Sequence, residues 1–539
     1  MKRNETDPQR NPGGPIPLPT SDAGLTRETF KHTAIYGSSG FLGKLVGFIM
    51  LPVYAHALGT AGYGIIGMVE VSLAFAGSLL AYSVSGSIVR LYYEEPEGQG
   101  NRVISTGVLL AGAGTLLVAS LGVLISRPLS GLLLGDPSLY GLLCLALATF
   151  VLDVTAQAAT TILLIRRRSL AYSLISLSRV VIGLPLNIWL IVILKLGVLG
   201  YFISNLAVAI VAATAFLSLC LRQTGLTFDR EVARRLLKFQ LPLVPSSVLA
   251  WFSGQVEKII VRFRVDITGV GVLAMAGRFP MLIQMLVVWP FLRAFGPMRT
   301  ELAEKDRESA RVSIGKMYSS FLYVLLFAGL LIAVNIDTLL HLIAPEDFGP
   351  SARIARVVVV TTLLMASSQY LTFGVYFDKA TKLLATIHAT NSVVKTALSF
   401  VFVWTWGIAG AAYAGCVAAV ISLLWGASAG QKRFPLVLEH RTIVRMIVSA
   451  AGLFLGIAYL PWTSMPGFQE LSLWLATHLA TPAVVLFGGA EVVPYRMTDA
   501  LLLLVKTLLC LSFLLVSPEM RRRLIRLVRR AGRGGAAAS

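Results

Sequence analysis

Charge is scarce in this chain. Of 539 residues only 14% are Asp, Glu, Lys or Arg, where a soluble domain carries about a quarter. With 56% hydrophobic residues and a mean hydropathy of +0.75, a water-soluble globular protein is excluded. No polar stretch is long enough to form a second, soluble domain. Cysteine is scarce too. Cys144, Cys220, Cys416 and Cys510 each sit inside an apolar stretch and show no CxxC spacing, which excludes a disulfide framework and a thiolate metal site. The six histidines are scattered without HExxH-like spacing, so no metal site and no catalytic group is expected. A signal peptide is not expected either. Met1 to about Asp22 is polar and rich in Pro and Gly, which reads as a disordered cytoplasmic tail. The apolar span that follows is too long for an h-region and is not followed by a small-residue cleavage site.

What the chain does have is apolar length. A helix needs about 20 apolar residues to cross a bilayer. Fourteen candidate spans fall at roughly 32–56, 65–91, 103–126, 139–165, 170–195, 199–221, 240–264, 271–297, 314–343, 355–377, 383–405, 408–429, 442–461 and 498–517, with ends good to a few residues. The net charge of +20 lies mostly in alternate short loops. These carry Arg166–Arg168; Arg230, Arg234, Arg235 and Lys238; Arg299, Lys305, Arg307 and Arg311; Lys379 and Lys382; and Lys432, Arg433 and Arg441. The tail adds Arg521 to Arg523, Arg526, Arg529 and Arg530. The pattern obeys the positive-inside rule with both termini cytoplasmic. Membrane topology, not nucleic-acid binding, therefore accounts for the basic balance, and the tail is suited to anionic lipid. Leu471 to Gly489 is apolar enough to span but would place the basic tail outside, so an interfacial or re-entrant helix is expected there.

The chain also repeats itself. Gly62-Tyr-Gly64-Ile-Ile-Gly-Met68 returns as Gly269-Val-Gly271-Val-Leu-Ala-Met275, 207 residues on. Gly197-Val-Leu-Gly200 returns as Gly407-Ile-Ala-Gly410, 210 residues on. Two matches at nearly one offset imply two six-helix halves in parallel orientation, related by an axis along the membrane normal. The expected fold is an all-α polytopic membrane protein of about fourteen transmembrane helices. Residues 1–30 form the tail, 31–222 an N-lobe of helices 1–6 and 223–239 a cytoplasmic linker. Residues 240–430 form a C-lobe of helices 7–12, 431–517 helices 13–14 with a long outer loop, and 518–539 a basic tail.

Several motifs carry a family resemblance. Leu51-Pro52-Val-Tyr54 followed by Leu58-Gly59-Thr-Ala-Gly62-Tyr63-Gly64 resembles the first helix and loop of Wzx-type polysaccharide flippases of the multidrug/oligosaccharidyl-lipid/polysaccharide exporter superfamily. Leu241-Pro242-Leu243-Val244-Pro245, Gly269-Val-Gly271 and Gly407-Ile-Ala-Gly410-Ala411-Ala412 resemble the same family's starts of spans 7, 8 and 12. The resemblance covers spans 1–14. It implies a V-shaped two-lobed bundle in a bacterial inner membrane. It also implies movement of an undecaprenyl-diphosphate-linked oligosaccharide from inner to outer leaflet, for cell-surface polysaccharide synthesis, beside a polysaccharide polymerase and glycosyltransferases. A monomer is expected.

Charge inside a span is costly and usually has a use. Lys44 lies near the middle of span 1, either paired with a carboxylate or facing a diphosphate; the related flippases tend to carry a basic residue in that helix. Arg90, in Ser87-Ile-Val-Arg90-Leu-Tyr92, is either a positive-inside anchor or a headgroup capture residue at the inner mouth, for which a planar guanidinium is suited. Lys258 and Arg262 share one face of span 7, and Arg278 enters span 8 from the same side; anchoring and an outer cavity wall are equal readings. Arg179 on span 5 and Lys395 on span 11 sit on corresponding helices, which favours a shared cavity over two separate ion pairs. Among the acids, Asp153, Glu70 and Glu257 are candidates to couple transport to a proton or sodium gradient, Asp153 first because it is deepest. No other cofactor is expected. Pro52, Pro242, Pro245 and Pro290 are hinge candidates, with static kinks as the alternative; Asn205 and Asn391 read as interhelical hydrogen bonders.

The leading reading is a non-enzymatic flippase acting by alternating access on a lipid-linked oligosaccharide, with membrane lipid as its surroundings and no nucleic-acid partner. A lipid II flippase shares the architecture. A MATE-like drug exporter usually has twelve spans and acidic sites, against the basic interior here. A membrane glycosyltransferase or ligase needs a large outer loop with an acidic pair, and the first outer loop, about Ala57 to Gly64, has no acid.

Overall fold

A computed structural model describes residues 47–80, 84–96, 99–166, 168–459, 493–515 and 522. Lys44, the N-terminal tail, the segment 471–489 and all of the basic tail except Arg522 lie outside the described residues. Among those described, the chain is α-helical throughout and has no strand. Ten of the described helices are long and apolar enough to cross a membrane. Val244–Arg264 and Thr381–Trp406, where spans 7 and 11 are expected, are helical but are not among the ten. They carry Glu257, Lys258 and Arg262, and Lys395, which lowers their apolarity.

The chain divides into two compact units. Val69–Trp251 falls in unit 1; Leu51–Met68 and the chain from Phe252 fall in unit 2. Helix α1 (Leu51–Leu79) breaks direction at Gly59, whose φ of 62° interrupts the helix. That break takes the place of the loop expected between spans 1 and 2.

Unit 1 is organised around α3 (Gly100–Leu124), α5 (Tyr140–Ile165) and α7 (Gly197–Thr224), with α6 (Ser169–Ile188) against α7. The short α4 (Ser126–Leu134) lies between α3 and α5 in the chain. In lipid there is no hydrophobic force between helices, so association rests on close packing of small residues and on interhelical hydrogen bonds. The buried run Ala156, Ala158, Ala159, Thr160 and Thr161 on α5 supplies such a face, and Ile104, Ile162 and Phe216 fill the space beside it. Polar groups tie one end of the unit. Arg166 donates to Gln223 Oε1 at 2.8 Å and Asn101 Oδ1 at 3.1 Å. Ser105 Oγ donates to Gly225 O and accepts from the Thr227 N–H. Helix α8 (Arg230–Gln240) lies at this end; the Asp229 carboxylate caps it by accepting from the Glu231 and Val232 N–H groups.

Unit 2 is built on α13 (Pro350–Leu371), which packs against α16 (Ile408–Arg433), α10 (Ile267–Ile283) and the long helix α12 (Arg307–Ile343). Its core holds Phe321, Tyr323, Tyr370, Phe434 and Phe513. Three of the loops expected to share a side by charge meet at one end: Arg307 donates to Arg433 O at 2.8 Å, and Arg307 and Arg433 both approach the Asp378 carboxylate, at 3.9 and 3.7 Å.

The repeat is physical. A Cβ on Gly64 would lie 1.9 Å from Ile267 O, and a Cβ on Gly271 would lie 2.0 Å from Thr60 O. Thr60 and Ile267, like Gly64 and Gly271, are 207 positions apart. The contact is therefore self-complementary, two repeat-related helices crossing backbone to backbone through small residues as in GxxxG packing. The second repeat match behaves alike: Gly197 and Gly407 both adopt positive φ, 56° and 60°, which an L side chain rarely takes.

One expectation is corrected. The sequence pattern ends span 8 at Pro297 and leaves Arg299 in a basic loop. The chain instead runs on from α10 through a π turn (Gln284–Val288) into α11 (Trp289–Lys305), with Pro297 inside it. Arg299 is thus a helical residue and only 8% exposed. A proline removes one helical bond but does not always end the helix.

Candidate functional site

The intramembrane charges resolve into separate sites. In unit 1, Arg179 on α6 donates to Asp153 on α5 at 2.7 Å, with the two side chains 37% and 39% exposed. In unit 2, Lys395 on α15 (Thr381–Trp406) lies 3.3 Å from Glu257 on α9 (Val244–Arg264), with side chains only 19% and 20% exposed. The corresponding cations Arg179 and Lys395 are thus each set on a carboxylate of their own unit. The partners are 26 and 138 residues away in sequence, and helical spacing gives no signal for either.

The Glu257–Lys395 pair borders a cavity of about 120 Å³ that also takes in Thr361, Asn391 and Gly415. The Asn391 Oδ1 is buried there without a hydrogen-bond partner. A Cβ on Gly415 would come within 3.1 Å of Glu257 Oε1, so the glycine leaves the carboxylate its place. An ion pair, an unanswered carbonyl oxygen and a small void together form a site at which a proton or a small cation can compete with an ammonium for one carboxylate.

At the polar end of unit 1, Arg90 on α2 (Val84–Glu94) lines a cavity of about 270 Å³ with Ser87, Glu94, Arg235, Lys238 and Phe239. Its Nε donates to Glu94 Oε1 at 2.9 Å, and its guanidinium lies 5.1 Å from the Phe239 ring centre. Arg235 bridges Glu94, at 3.5 Å, and Glu95. Three cations thus face two carboxylates, leaving a positive surplus at a mouth 64% exposed at Arg90.

Arg278, in the middle of α10, donates to the Tyr63 hydroxyl at 3.0 Å, beside the glycine contact; Tyr63 meets the edge of Phe348. Lys258 and Arg262 lie one turn apart on α9, Arg262 in its last turn. Glu70 is half-buried on α1. The four prolines singled out all stand in first turns. Pro52 opens α1, Pro242 lies in the 3₁₀ turn Leu241–Leu243, Pro245 follows at the start of α9, and Pro290 begins α11. Pro242 and Pro245 follow α8 without a break and Pro290 follows the π turn directly, so these three remove a backbone donor within a continuous helical run. The prolines inside helices are Pro185, Pro280 and Pro297, and π turns start four residues after the first two.

Among known proteins, the family described as polysaccharide biosynthesis protein matches residues 29–303, which is 275 of the 539 residues. The chain belongs to this family. A protein of the Lsg locus of Haemophilus influenzae is 20% identical over 382 residues, covering 69% of this chain and 90% of its own length. Among solved structures, the lipid II flippase MurJ in an inward closed conformation superposes with a TM-score of 0.64, covering 91% of this chain and all of that one at 13% identity. An inward-facing multidrug-resistance MATE transporter of the MOP superfamily reaches 0.57 at 16% identity, covering 73% and 96%. At such identities the likeness establishes the fold alone. The expected fold class stands: this is an all-α, multi-pass membrane protein with the exporter fold. Sequence reasoning missed Arg299, and Pro297 was the signal that hid it.

Proposed function

We propose that the protein is a flippase that moves an undecaprenyl-diphosphate-linked oligosaccharide from the inner to the outer leaflet of the bacterial cytoplasmic membrane, both termini inside. One observation carries this reading: in a chain of the polysaccharide biosynthesis family, residues one repeat apart meet across the Gly64–Gly271 contact. Parallel repeats joined at such a contact suit rocking between two access states. Small residues let the contact close tightly, and the Arg278–Tyr63 hydrogen bond lies beside it. The positive mouth at Arg90 suits capture of a diphosphate, and the polyprenyl chain stays in lipid. Chemistry on the sugar is left to separate glycosyltransferases and a polymerase.

Coupling is assigned to Glu257. A proton or sodium ion entering the cavity beside Asn391 competes with Lys395, so the occupied and empty states differ in helix-to-helix attachment. A driven carrier requires such differential affinity. Asp153, on Arg179, is the second candidate and Glu70 the third.

The test is flipping in proteoliposomes, using a fluorescent undecaprenyl-diphosphate sugar and a membrane-impermeant quencher. Wild type is expected to move the probe, faster with an imposed proton or sodium gradient. Glu257→Gln is expected to retain slow movement but lose the gradient's effect. Absence of movement for several sugar headgroups, with efflux of a cationic dye instead, sinks the flippase reading in favour of a drug exporter.

A further inference from the structure

A second, larger cavity lies in unit 2. It encloses about 710 Å³ between α11, α13, α14 (Phe373–Phe377), α15 and α16. Arg299 is its most buried charge, at 8% exposure. The guanidinium stands 4.4 Å from the Tyr370 ring centre and 5.1 Å from that of Phe373. Its Nε and Nη1 are buried with no hydrogen-bond partner, and no carboxylate among the described residues forms an ion pair with it.

A guanidinium held by rings and lacking a carboxylate is an unusual thing to bury. A buried charge is ordinarily paired, because desolvation without compensation is expensive, and each unanswered buried donor calls for a reason. The aromatic faces and a hydrogen bond with the Tyr370 side chain supply part of the answer, but they leave Nε and Nη1 unused. An anion entering the cavity would complete the set with charge-assisted hydrogen bonds. Lys379 also lines the cavity, and Glu304 lines it too; both are exposed. The lining therefore holds two full positive charges and one negative, of which only the Arg299 guanidinium is buried. Lys379 stands in the left-handed region, φ 53°, at the turn between α14 and α15. The end is the one where Arg307 and Arg433 converge on Asp378, which the charge pattern assigns to the cytoplasm.

The volume falls within the range of small-molecule pockets, about 300–1,000 Å³, and is far more than a bare phosphate fills. The rest of the wall is aromatic and amide: Tyr376, Phe377 and Gln369. Rings and an amide suit the face and hydroxyls of an organic group carrying the anion.

We propose that this cavity is a binding site for a phosphate ester, with Arg299 on the phosphate oxygens, Lys379 as the second cation, and the ring-lined wall on the esterified group. The ester could be the headgroup of the transported lipid, which rests on the flippase reading, or a free sugar phosphate that signals the state of precursor supply. The chemistry is the same in both.

The experiment uses the full-length protein in neutral detergent and measures binding by thermophoresis. The probes are farnesyl diphosphate, N-acetylglucosamine 1-phosphate and, as the uncharged control, N-acetylglucosamine. At least one phosphorylated probe is expected to bind wild type, and the uncharged sugar not. Arg299→Met, close in volume and uncharged, is expected to weaken that binding at least tenfold; Lys379→Asn, which keeps a residue tolerant of positive φ, about threefold. Arg127→Met, exposed on α4 of unit 1 and on no cavity wall, is expected to leave it unchanged. Tighter binding of the prenyl diphosphate assigns the site to the lipid headgroup; tighter binding of the sugar phosphate assigns it to the soluble ester. Binding that survives both unit 2 variants overturns the proposal, as does no binding of either phosphorylated probe. Should Arg299→Met fail to fold, Lys379→Asn and Thr300→Val, both on the cavity wall, decide the matter, and unchanged affinity in both overturns it. Flipping in vesicles is scored separately. Flipping without Arg299-dependent binding removes the site and keeps the flippase. Arg299-dependent binding without flipping keeps the site and removes the flippase.

Discussion

The two units treat their interior cations differently. In unit 1 three arginines are open to water and answered by carboxylates: Arg179 by Asp153, Arg90 by Glu94, Arg235 by Glu94 and Glu95; Arg166, 6% exposed, is answered by the amides of Gln223 and Asn101 instead. In unit 2 two cations are sealed. Lys395 is 19% exposed against a carboxylate almost as buried, and Arg299 is 8% exposed against rings. A charge that water reaches needs little from its partner. A charge that water cannot reach depends on its partner for its solvation. The same residue types therefore do different work: the open pairs such as Arg179–Asp153 are replaceable fastenings, and the sealed cations Lys395 and Arg299 are obligate parts.

The sharpest way to break this comparison is to remove one member of the unit 2 pair. Lys395→Met leaves the Glu257 carboxylate buried and uncompensated. It is expected to cost about 3 kcal/mol of stability, toward the lower end for a broken buried pair because a fifth of each side chain remains exposed. Adding Glu257→Leu is expected to recover most of that loss, since two apolar residues need no solvation. The check is a double-mutant cycle from thermal or denaturant unfolding in detergent. A double variant no more stable than Lys395→Met would show that the pair is not the source of the loss.

The corresponding change in unit 1, Arg179→Met, is expected to cost about 1 kcal/mol or less, as for exposed pairs. Asp153 keeps access to water at 39% exposure. Run in the same assay, the two substitutions compare like with like. Equal losses would erase the distinction between the units.

The spans and the repeat are legible in the sequence because both rest on local pattern. Apolar length, alternating loop charge and glycine spacing are written within a few residues of where they act. The 207-residue offset marks Gly64 and Gly271 as equivalent positions, and the structure adds that they meet in a backbone contact only small residues allow. Pairing is not legible. Glu257 and Lys395 meet only because α9 and α15 are brought together by the packing of unit 2, and no periodicity reports that. Arg299 reads as a loop residue for a specific reason. Pro297 two residues earlier looks like a terminator, yet the chain absorbs the lost bond and stays helical to Lys305. Lys44, the first cation singled out, and the segment 471–489 lie outside the described residues.

The smallest stability effect is expected at the most exposed cation, and there function separates from structure. Arg90→Met removes a salt bridge with a 64% exposed arginine, within one helix and four residues apart, worth about 0.3–0.5 kcal/mol. Unfolding should hardly register it. The cavity at that end nonetheless loses one of three cations facing Glu94 and Glu95, and its positive surplus falls to zero. If that surplus draws a diphosphate to the inner mouth, flipping slows several-fold at low salt. The wild-type advantage then shrinks as salt is raised, because screening weakens attraction at an exposed site. Flipping that is unchanged at every salt concentration would make Arg90 an anchor, and the working charge of the molecule would then lie wholly in the sealed cations of unit 2.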